Sequence, residues 1–144
     1  MSQLIHPVDP KRITDTFGTR NETRVKLGLG PHRGVDYGVP VGTPLKAVGK
    51  GIIVKVYHSD ILGWTIELRT YVTAEKVRIF SYSHLDHVTI KEGAQVQQGD
   101  VIGVSGNSGK SSGPHLHLMA GKTEHLAVQA VEDPLQWLPK IGKK

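Results

Sequence analysis

Glycine and proline punctuate this chain at short intervals, and that punctuation limits the regular structure it can form. The 144 residues include 17 glycines and 8 prolines, which fall between short runs rich in β-branched residues. Such residues are typical of turns between strands and weaken long helices. The pattern therefore predicts a mainly β protein with antiparallel strands. The predicted strands cover residues 12–17, 43–48, 51–57, 65–72, 77–82, 100–104 and 114–119.

One short helix and one loop complete the predicted secondary structure. Asp133 can cap a helix over residues 132–137, and Pro134 suits its first turn. Residues 18–31 show no convincing period and are predicted to form a loop. The length, without an internal repeat or a linker, predicts one domain over residues 1–144, with its core at about 12–139. We expect the protein to be a monomer.

The composition excludes some classes of chemistry. No cysteine is present, which removes disulfides, thiolate ligands and cysteine nucleophiles, and leaves histidines and carboxylates as metal donors. The 18 Lys and Arg against 13 Asp and Glu give a net charge of +5, a modest bias toward polyanions. The charges are scattered, which favours a solvated surface over a nucleic-acid site.

The N-terminal residues do not have the charged and then apolar layout of a signal peptide. No apolar run approaches the roughly 20 residues of a membrane span. If the protein acts outside a membrane, we therefore expect another factor to carry it there.

Two clusters of polar residues carry the candidate chemistry. His115 and His117 are two residues apart in a predicted strand, so both side chains are expected on one face. His32 and Asp36 supply another imidazole and a carboxylate, and the nearby Gly34, Gly38 and Pro40 favour an extended segment. Together the clusters offer what a catalytic zinc needs, about three nitrogen or oxygen ligands with one position left for water.

The remaining histidines are interpreted differently. His84, at the end of a predicted strand, is expected to act as an acid/base group beside the metal. A metal pair formed by His84 and His87 would need a helical turn, which the β-rich surroundings oppose. Lone histidines are more often structural or exposed than ligands. This interpretation applies to His6, His58, His87 and His125.

Two other motifs fail on spacing. Gly109-Lys110-Ser111 is similar to the end of a phosphate-binding loop, but Val104 stands where that loop requires its first glycine. Neither Ser105 nor Ser108 lies in the Gly-x-Ser-x-Gly turn of a serine hydrolase. The sequence therefore predicts neither a nucleotide site nor a serine nucleophile.

Three motifs resemble, in order and spacing, those of the lysostaphin-type or LytM-like zinc peptidases, the M23 family. They are His32-x-x-x-Asp36, Tyr82-x-His84-Leu85 and Ser112-Gly113-Pro114-His115-Leu116-His117. The resemblance implies an antiparallel β-sheet with an open groove that holds one zinc ion per chain. It implies His32, Asp36 and His117 as the zinc ligands. It implies His84 and His115 as the catalytic residues that flank the reacting water.

The implied reaction is hydrolysis of a peptide bond in the cross-links or stem peptides of bacterial peptidoglycan, at the cell wall. With no signal-peptide pattern, the resemblance implies a holin-released phage lysin, a virion-associated lysin or an excised domain of an exported protein. The sequence departs from the family in two places. Some relatives carry a tyrosine shortly before the first zinc histidine, where this chain has Arg24, Val25, Lys26 and Leu27. Leu118 stands where an aromatic residue is common.

Two alternatives come from other functional classes. Inactive relatives that activate cell-wall amidases typically lack metal ligands, and here every ligand of the motif is present. Residues 93–103 also resemble half of a biotinyl or lipoyl carrier domain, but no lysine in a carrier motif is evident. The resemblance therefore favours an active peptidase over an activator or a carrier.

Overall fold

Nine antiparallel strands form one sheet in this computed structural model, which describes residues 3–20, 22–26, 28, 30–126 and 130–140. The strands are β1 Ile13–Asp15, β2 Val35–Tyr37, β3 Pro44–Lys46, β4 Gly51–Ser59, β5 Gly63–Tyr71, β6 Val77–Val88, β7 Gln95–Val96, β8 Val101–Ser105 and β9 Leu116–Gly121. Every pairing among them is antiparallel. The prediction of a mainly β, antiparallel fold is confirmed.

The strand β6 is the centre of this sheet. The main path runs β1-β2-β9-β6-β5-β4-β7, and β8 pairs with both β3 and β6. With 12 residues, β6 is long enough to pair with β5, β9 and β8 in turn. The segments that carry the predicted site residues, β2, β6 and β9, are therefore brought side by side.

Alternation along the strands separates an apolar face from a polar one. Val35 and Tyr37 are completely buried in the main apolar cluster, together with Leu116 and Leu118 of the neighbouring β9. Because successive strand residues point to opposite faces, Asp36 and His117 project away from this core. The core thus fixes the backbone that carries both of these polar side chains.

The helical segments are short. A 3₁₀ helix covers Pro10–Arg12, α1 covers Glu22–Lys26 and a second 3₁₀ helix covers Pro134–Gln136. Asp133 caps the last of these, since its Oδ1 accepts a hydrogen bond from the Leu135 N–H at 3.0 Å. No described helix is long and apolar enough to cross a membrane.

Several predicted boundaries are wrong. The helix expected over residues 132–137 is a single 3₁₀ turn, and α1 lies where the sequence predicted a loop. A five-residue helix is too short to show an apolar period, and tertiary contacts decide whether it forms. Leu27, one of the residues found where some relatives carry a tyrosine, lies outside the described residues.

The strands near the histidines also differ from their predicted bounds. The strand β6 continues past Tyr82 to Val88, so His84 lies inside it, and β9 begins only at Leu116, so His115 precedes it. The strands β2 and β7 were not predicted as separate strands. At three and two residues they are too short for a period-two pattern to stand out.

Candidate functional site

Asp36 and His117 face each other across the pair β2 and β9, where they are direct cross-strand partners. The Asp36 Oδ1 and His117 Nδ1 atoms lie 2.9 Å apart. Gly34 allows the two strands to come this close, because a Cβ atom at that position would overlap the Leu118 carbonyl oxygen. The glycine between His32 and Asp36 is therefore a packing requirement of the site.

His32 approaches the same carboxylate from the segment before β2. Its Nε2 lies 3.2 Å from the Asp36 Oδ1 atom. Its Nδ1 lies 3.1 Å from the Thr16 carbonyl oxygen and 3.3 Å from the Asp15 Oδ2 atom. Because both of these oxygens can only accept, Nδ1 carries the proton, and Nε2 is the nitrogen directed at Asp36.

His32, Asp36 and His117 together could hold a metal ion. Among the described residues, each offers one ligand atom, and these atoms lie within 4.8 Å of one another. Two imidazole nitrogens and one carboxylate oxygen are donors that zinc accepts in catalytic sites, where water commonly completes the coordination. The chemistry of this donor set fits the predicted zinc.

The three side chains shift one another's acidity. Burial would raise the pKa of Asp36, but hydrogen bonds from His117 and His32 hold it well below its ordinary range. Burial would lower the pKa of His32, but the hydrogen bond and charge of Asp36 raise it above its ordinary value. For His117, burial dominates and lowers the pKa. The site therefore presents an ionised carboxylate to two imidazoles of unequal basicity.

His115 lies beside this group, immediately before β9. Its backbone forms an isolated bridge with Gly106 rather than part of the strand. Its Nδ1 donates a hydrogen bond to the Gly113 carbonyl oxygen at 2.8 Å and lies 3.2 Å from the Ser111 Oγ atom. Its Nε2 lies 3.7 Å from the Asp36 Oδ1 atom. The Nε2 nitrogen thus faces the site with its lone pair available.

His84 completes the cluster from an irregular point in β6. Its φ of 66° lies in the left-handed region, which non-glycine residues rarely adopt. A hydrogen bond of 2.7 Å from its N–H to the Leu62 carbonyl oxygen accompanies this conformation. Its ring centroid lies 4.9 Å from that of His115 and 6.0 Å from that of His117.

The ring of His84 is held in one protonation state. Its Nδ1 donates to the Ser108 carbonyl oxygen at 2.7 Å, so Nε2 is the free acceptor. Burial lowers the pKa of His84 to about 4. The charges of His115 and His117 lower it further, whereas the Ser108 carbonyl and Asp36 raise it. The imidazole is therefore neutral at pH 7, as a proton acceptor must be.

Ser108 is a residue that the sequence reasoning missed. Its Oγ donates to the Leu85 carbonyl oxygen at 2.6 Å and accepts from the Trp64 N–H at 3.2 Å. Gly63 packs against it so closely that an added Cβ would overlap the serine side chain. Ser108 joins the loop before His115 to the start of β5 and presents its carbonyl to His84. No local pattern around Ser108 indicates this, because all its partners are distant in sequence.

A buried carboxylate is linked to the segment that carries His32. Glu67 is completely buried, and its oxygens accept from the His125 N–H at 2.6 Å and the Leu126 N–H at 2.7 Å. The Leu126 carbonyl oxygen in turn accepts from an Arg33 guanidinium nitrogen at 2.7 Å. Because Arg33 follows His32, this chain of contacts ties the first histidine segment to β5.

The other histidines lie outside the metal-binding group. His6 bridges the Tyr37 hydroxyl and the Pro139 carbonyl oxygen, at 2.9 and 2.8 Å. His58 stacks edge-on against Trp64, and His125 packs against Tyr57. His87 is exposed and pairs with its neighbour Asp86. Their contacts agree with the structural or exposed roles expected from the sequence.

Comparisons with known proteins show which family the chain belongs to. The sequence profile of peptidase family M23 matches residues 30–129. The peptidoglycan DD-endopeptidase ShyA of Vibrio cholerae is 36% identical over 116 residues, which cover 78% of this chain and 25% of ShyA. The chain thus spans about a quarter of the length of such curated relatives.

Solved structures share the fold. The lysostaphin catalytic domain from Staphylococcus simulans superimposes with a TM-score of 0.73 at 31% identity, covering 87% of this chain and 90% of that domain. A zinc-containing peptidase from Vibrio cholerae gives a TM-score of 0.75 at 26% identity, covering 92% of this chain and 39% of that one. The motifs, the fold and the profile match agree, and the chain belongs to peptidase family M23.

Proposed function

We propose that this protein is a zinc-dependent endopeptidase that hydrolyses peptide bonds in the cross-links or stem peptides of bacterial peptidoglycan. The observation that carries the proposal is the meeting of a possible metal-binding group, His32, Asp36 and His117, with two further imidazoles, His84 and His115. Neither half suffices alone, because the metal ligands include no free group that could accept the proton of the water or return a proton to the leaving amine. The two halves together supply both parts of a metallohydrolase.

His32, Asp36 and His117 would hold the zinc through one ligand atom each. His32 Nε2 and His117 Nδ1 both lie within 3.2 Å of the Asp36 Oδ1 atom, and a cation replaces protons in such a cluster. When bound, zinc supplies a Lewis acid for the scissile carbonyl and makes water acidic enough to react near neutral pH. The Thr16 carbonyl and Asp15 orient the His32 ring for this task.

His84 and His115 would handle the protons. In both rings Nδ1 is committed to a backbone carbonyl, of Ser108 and of Gly113, so both present Nε2 as the free nitrogen. A neutral His84 can accept the proton of the attacking water. His115, once protonated, can stabilise the charge that develops on the scissile carbonyl oxygen or return a proton to the leaving amine.

The substrate assignment comes from the relatives. ShyA is named a peptidoglycan DD-endopeptidase, and ALE-1 of Staphylococcus capitis, a further relative at 32% identity, is named a glycyl-glycine endopeptidase. These names point to different bonds in the same polymer. We propose that the segments around the site, which are the described part of residues 18–31 together with residues 58–63 and 105–113, line an open groove and determine which bond is cleaved. The nine-stranded sheet is then a single catalytic domain.

The test is release of new amino termini from purified peptidoglycan with no amidase added. The chain should release them, stop when a chelator removes the metal, and recover when zinc is restored. Mass spectrometry of fragments from walls of several chemotypes would identify the bond. Absence of new termini from every chemotype would overturn the proposal. Stimulation of a partner amidase by an otherwise inactive chain would instead establish an activator.

A further inference from the structure

A second surface lies at the far end of the sheet from the histidines. A cavity of about 890 Å³ is lined there by residues of β4, β5 and β7 and of the segments around them. Seven residues along β5 separate Trp64, next to the site, from Tyr71 in this cavity, about 23 Å at ~3.3 Å per residue. The surface is therefore separate from the proposed catalytic site, and one rigid strand holds it at a fixed distance.

The strand register places four side chains of this surface on one face. Ile52 pairs with Gln95 of β7 on one side and with Arg69 of β5 on the other, and direct partners project together. Tyr71 follows Arg69 by two residues and shares its face. Lys50 lines the same cavity just before β4. We call Lys50, Ile52, Arg69, Tyr71 and Gln95 the β7 platform.

The β7 platform is exposed and has free polar groups. Tyr71 is 53% exposed and Ile52 is 38% exposed, which places an aromatic and an aliphatic surface side by side in water. Lys50, Arg69 and Gln95 are also exposed. Their side chains make no hydrogen bond or ion pair with the described part of the chain. Such groups can bind a ligand without first breaking an internal contact.

The positive charge of the cavity indicates a ligand that carries carboxylates. Its lining contains two cations, Lys50 and Arg69, and no carboxylate. Guanidinium and ammonium groups bind carboxylates through charge-assisted hydrogen bonds. A tyrosine ring next to an isoleucine offers an apolar surface for the C–H faces of sugar rings, and the Gln95 amide can bond hydroxyls. The complement of this surface is a polymer that carries both sugars and carboxylates.

We propose that the β7 platform is an auxiliary binding surface for a peptidoglycan strand, which it holds through sugar rings and stem-peptide carboxylates while a different segment is cleaved at the histidine cluster. This inference rests on the proposed function, because it takes the polymer to be the same one. The platform would raise the affinity for insoluble polymer through a second point of contact. It would not alter turnover of a peptide too short to reach it.

The experiment separates binding from cleavage. Binding to insoluble peptidoglycan stripped of phosphate-bearing polymers is measured by sedimentation, with every variant built on His115→Ala so that the polymer stays intact. Lys50→Glu with Arg69→Glu should weaken binding about tenfold, as expected for the loss of two exposed charge contacts. Tyr71→Ala should weaken it several-fold even in high salt. Lys11→Glu with Lys122→Glu, a matched charge change at two exposed lysines elsewhere, should leave binding within twofold.

In the chain with His115 restored, the platform variants should hydrolyse a short soluble stem peptide at the parental rate and insoluble walls more slowly. Equal binding by the Lys50/Arg69 and Lys11/Lys122 variants would overturn the proposal. So would binding that disappears once phosphate-bearing polymers are removed, or stronger binding to duplex DNA than to the wall polymer. If the parent cleaved no peptide at all, the proposed function would fail, while the binding comparison would still decide the platform.

Discussion

The two halves of the candidate site are built from different kinds of backbone. Asp36 and His117 are direct partners in a regular ladder between β2 and β9, with buried apolar neighbours on the other face. His84 has a left-handed φ inside β6, and His115 lies outside β9. Two of the three possible metal ligands, Asp36 and His117, are thus fixed by the core, and we call them the regular half. The two proton-handling imidazoles, which are fixed by loop carbonyls, are the irregular half. Changes in the loops should affect turnover before they affect metal.

The largest expected effect is loss of a ligand from the regular half. Asp36→Ala or His117→Ala should reduce bound zinc from about one ion per chain to near zero and abolish hydrolysis, because two ligands hold zinc poorly. Metal content by atomic emission and release of amino termini would be measured on the same preparation. A His117→Ala protein that keeps both zinc and activity would remove His117 from the ligand set.

Substitutions in the irregular half should separate metal from activity. His84→Ala and His115→Ala should keep zinc while turnover falls on the order of 100-fold or more, the usual loss for a positioned acid/base group. Circular dichroism would show that both variants are folded. Should His115→Ala lose zinc as completely as His117→Ala does, the division between the two halves would be wrong.

Acid should act first on the third possible ligand, His32. The pKa of His32 is raised above its ordinary 6.5, so protons compete with zinc as the pH falls through the 6 to 7 range and below. Burial lowers the pKa of His84 to about 4, so it stays neutral over that range. Activity at about pH 5.5 should therefore fall together with zinc content and recover when zinc is added in excess. Full zinc occupancy in an inactive protein at that pH would point to the imidazole bases instead.

The smallest expected effect comes from the loop serine. Ser108→Ala leaves the carbonyl that accepts from His84 but removes the hydroxyl contacts to Leu85 and Trp64. We expect the loss of these contacts to cost about 1 kcal/mol in the positioning of His84. The value of kcat should then fall roughly fivefold, while KM and the zinc content stay nearly unchanged. Ser112→Ala, in the same loop, serves as the matched control because Ser112 is exposed. An equal loss in both variants would show that the loop is sensitive to any substitution.

The part of the site that the sequence predicts well is the regular half, and the part that it predicts poorly is the irregular half. The glycines around His32 and Asp36 indicated an extended segment, and β2 is extended as predicted. The alternation argument expected the His115 and His117 side chains on one face. Both rings do lie near Asp36, although only His117 lies in the strand. Period-two patterns describe regular strands, so they succeed where the ladder continues and give no information where it breaks.

The contacts that shape the irregular half could not be predicted from the sequence. The conformation of His84 goes with bonds to the carbonyls of Leu62 and Ser108, both more than 20 positions away along the chain. Likewise, nothing local indicates that Glu67 would be buried beneath the turn at His125 and Leu126. Such partners become neighbours only when the sheet assembles. The local sequence around each residue therefore does not predict these contacts. The family resemblance indicated the histidines but not the residues that hold them in place.

The tight packing of Gly63 on Ser108 limits how this protein can be re-engineered. Gly63 has a positive φ, and neither it nor Gly109, which packs against the Gly63 N–H, has room for a side chain. Ile61, by contrast, is 62% exposed at the tip of the same hairpin. A loop replacement intended to change which peptide bond is cleaved should therefore substitute Asp60 and Ile61 at the tip. It should keep Gly63, Ser108 and Gly109, which pack against one another. The tip of the hairpin can then vary while its base stays fixed against the loop that precedes His115.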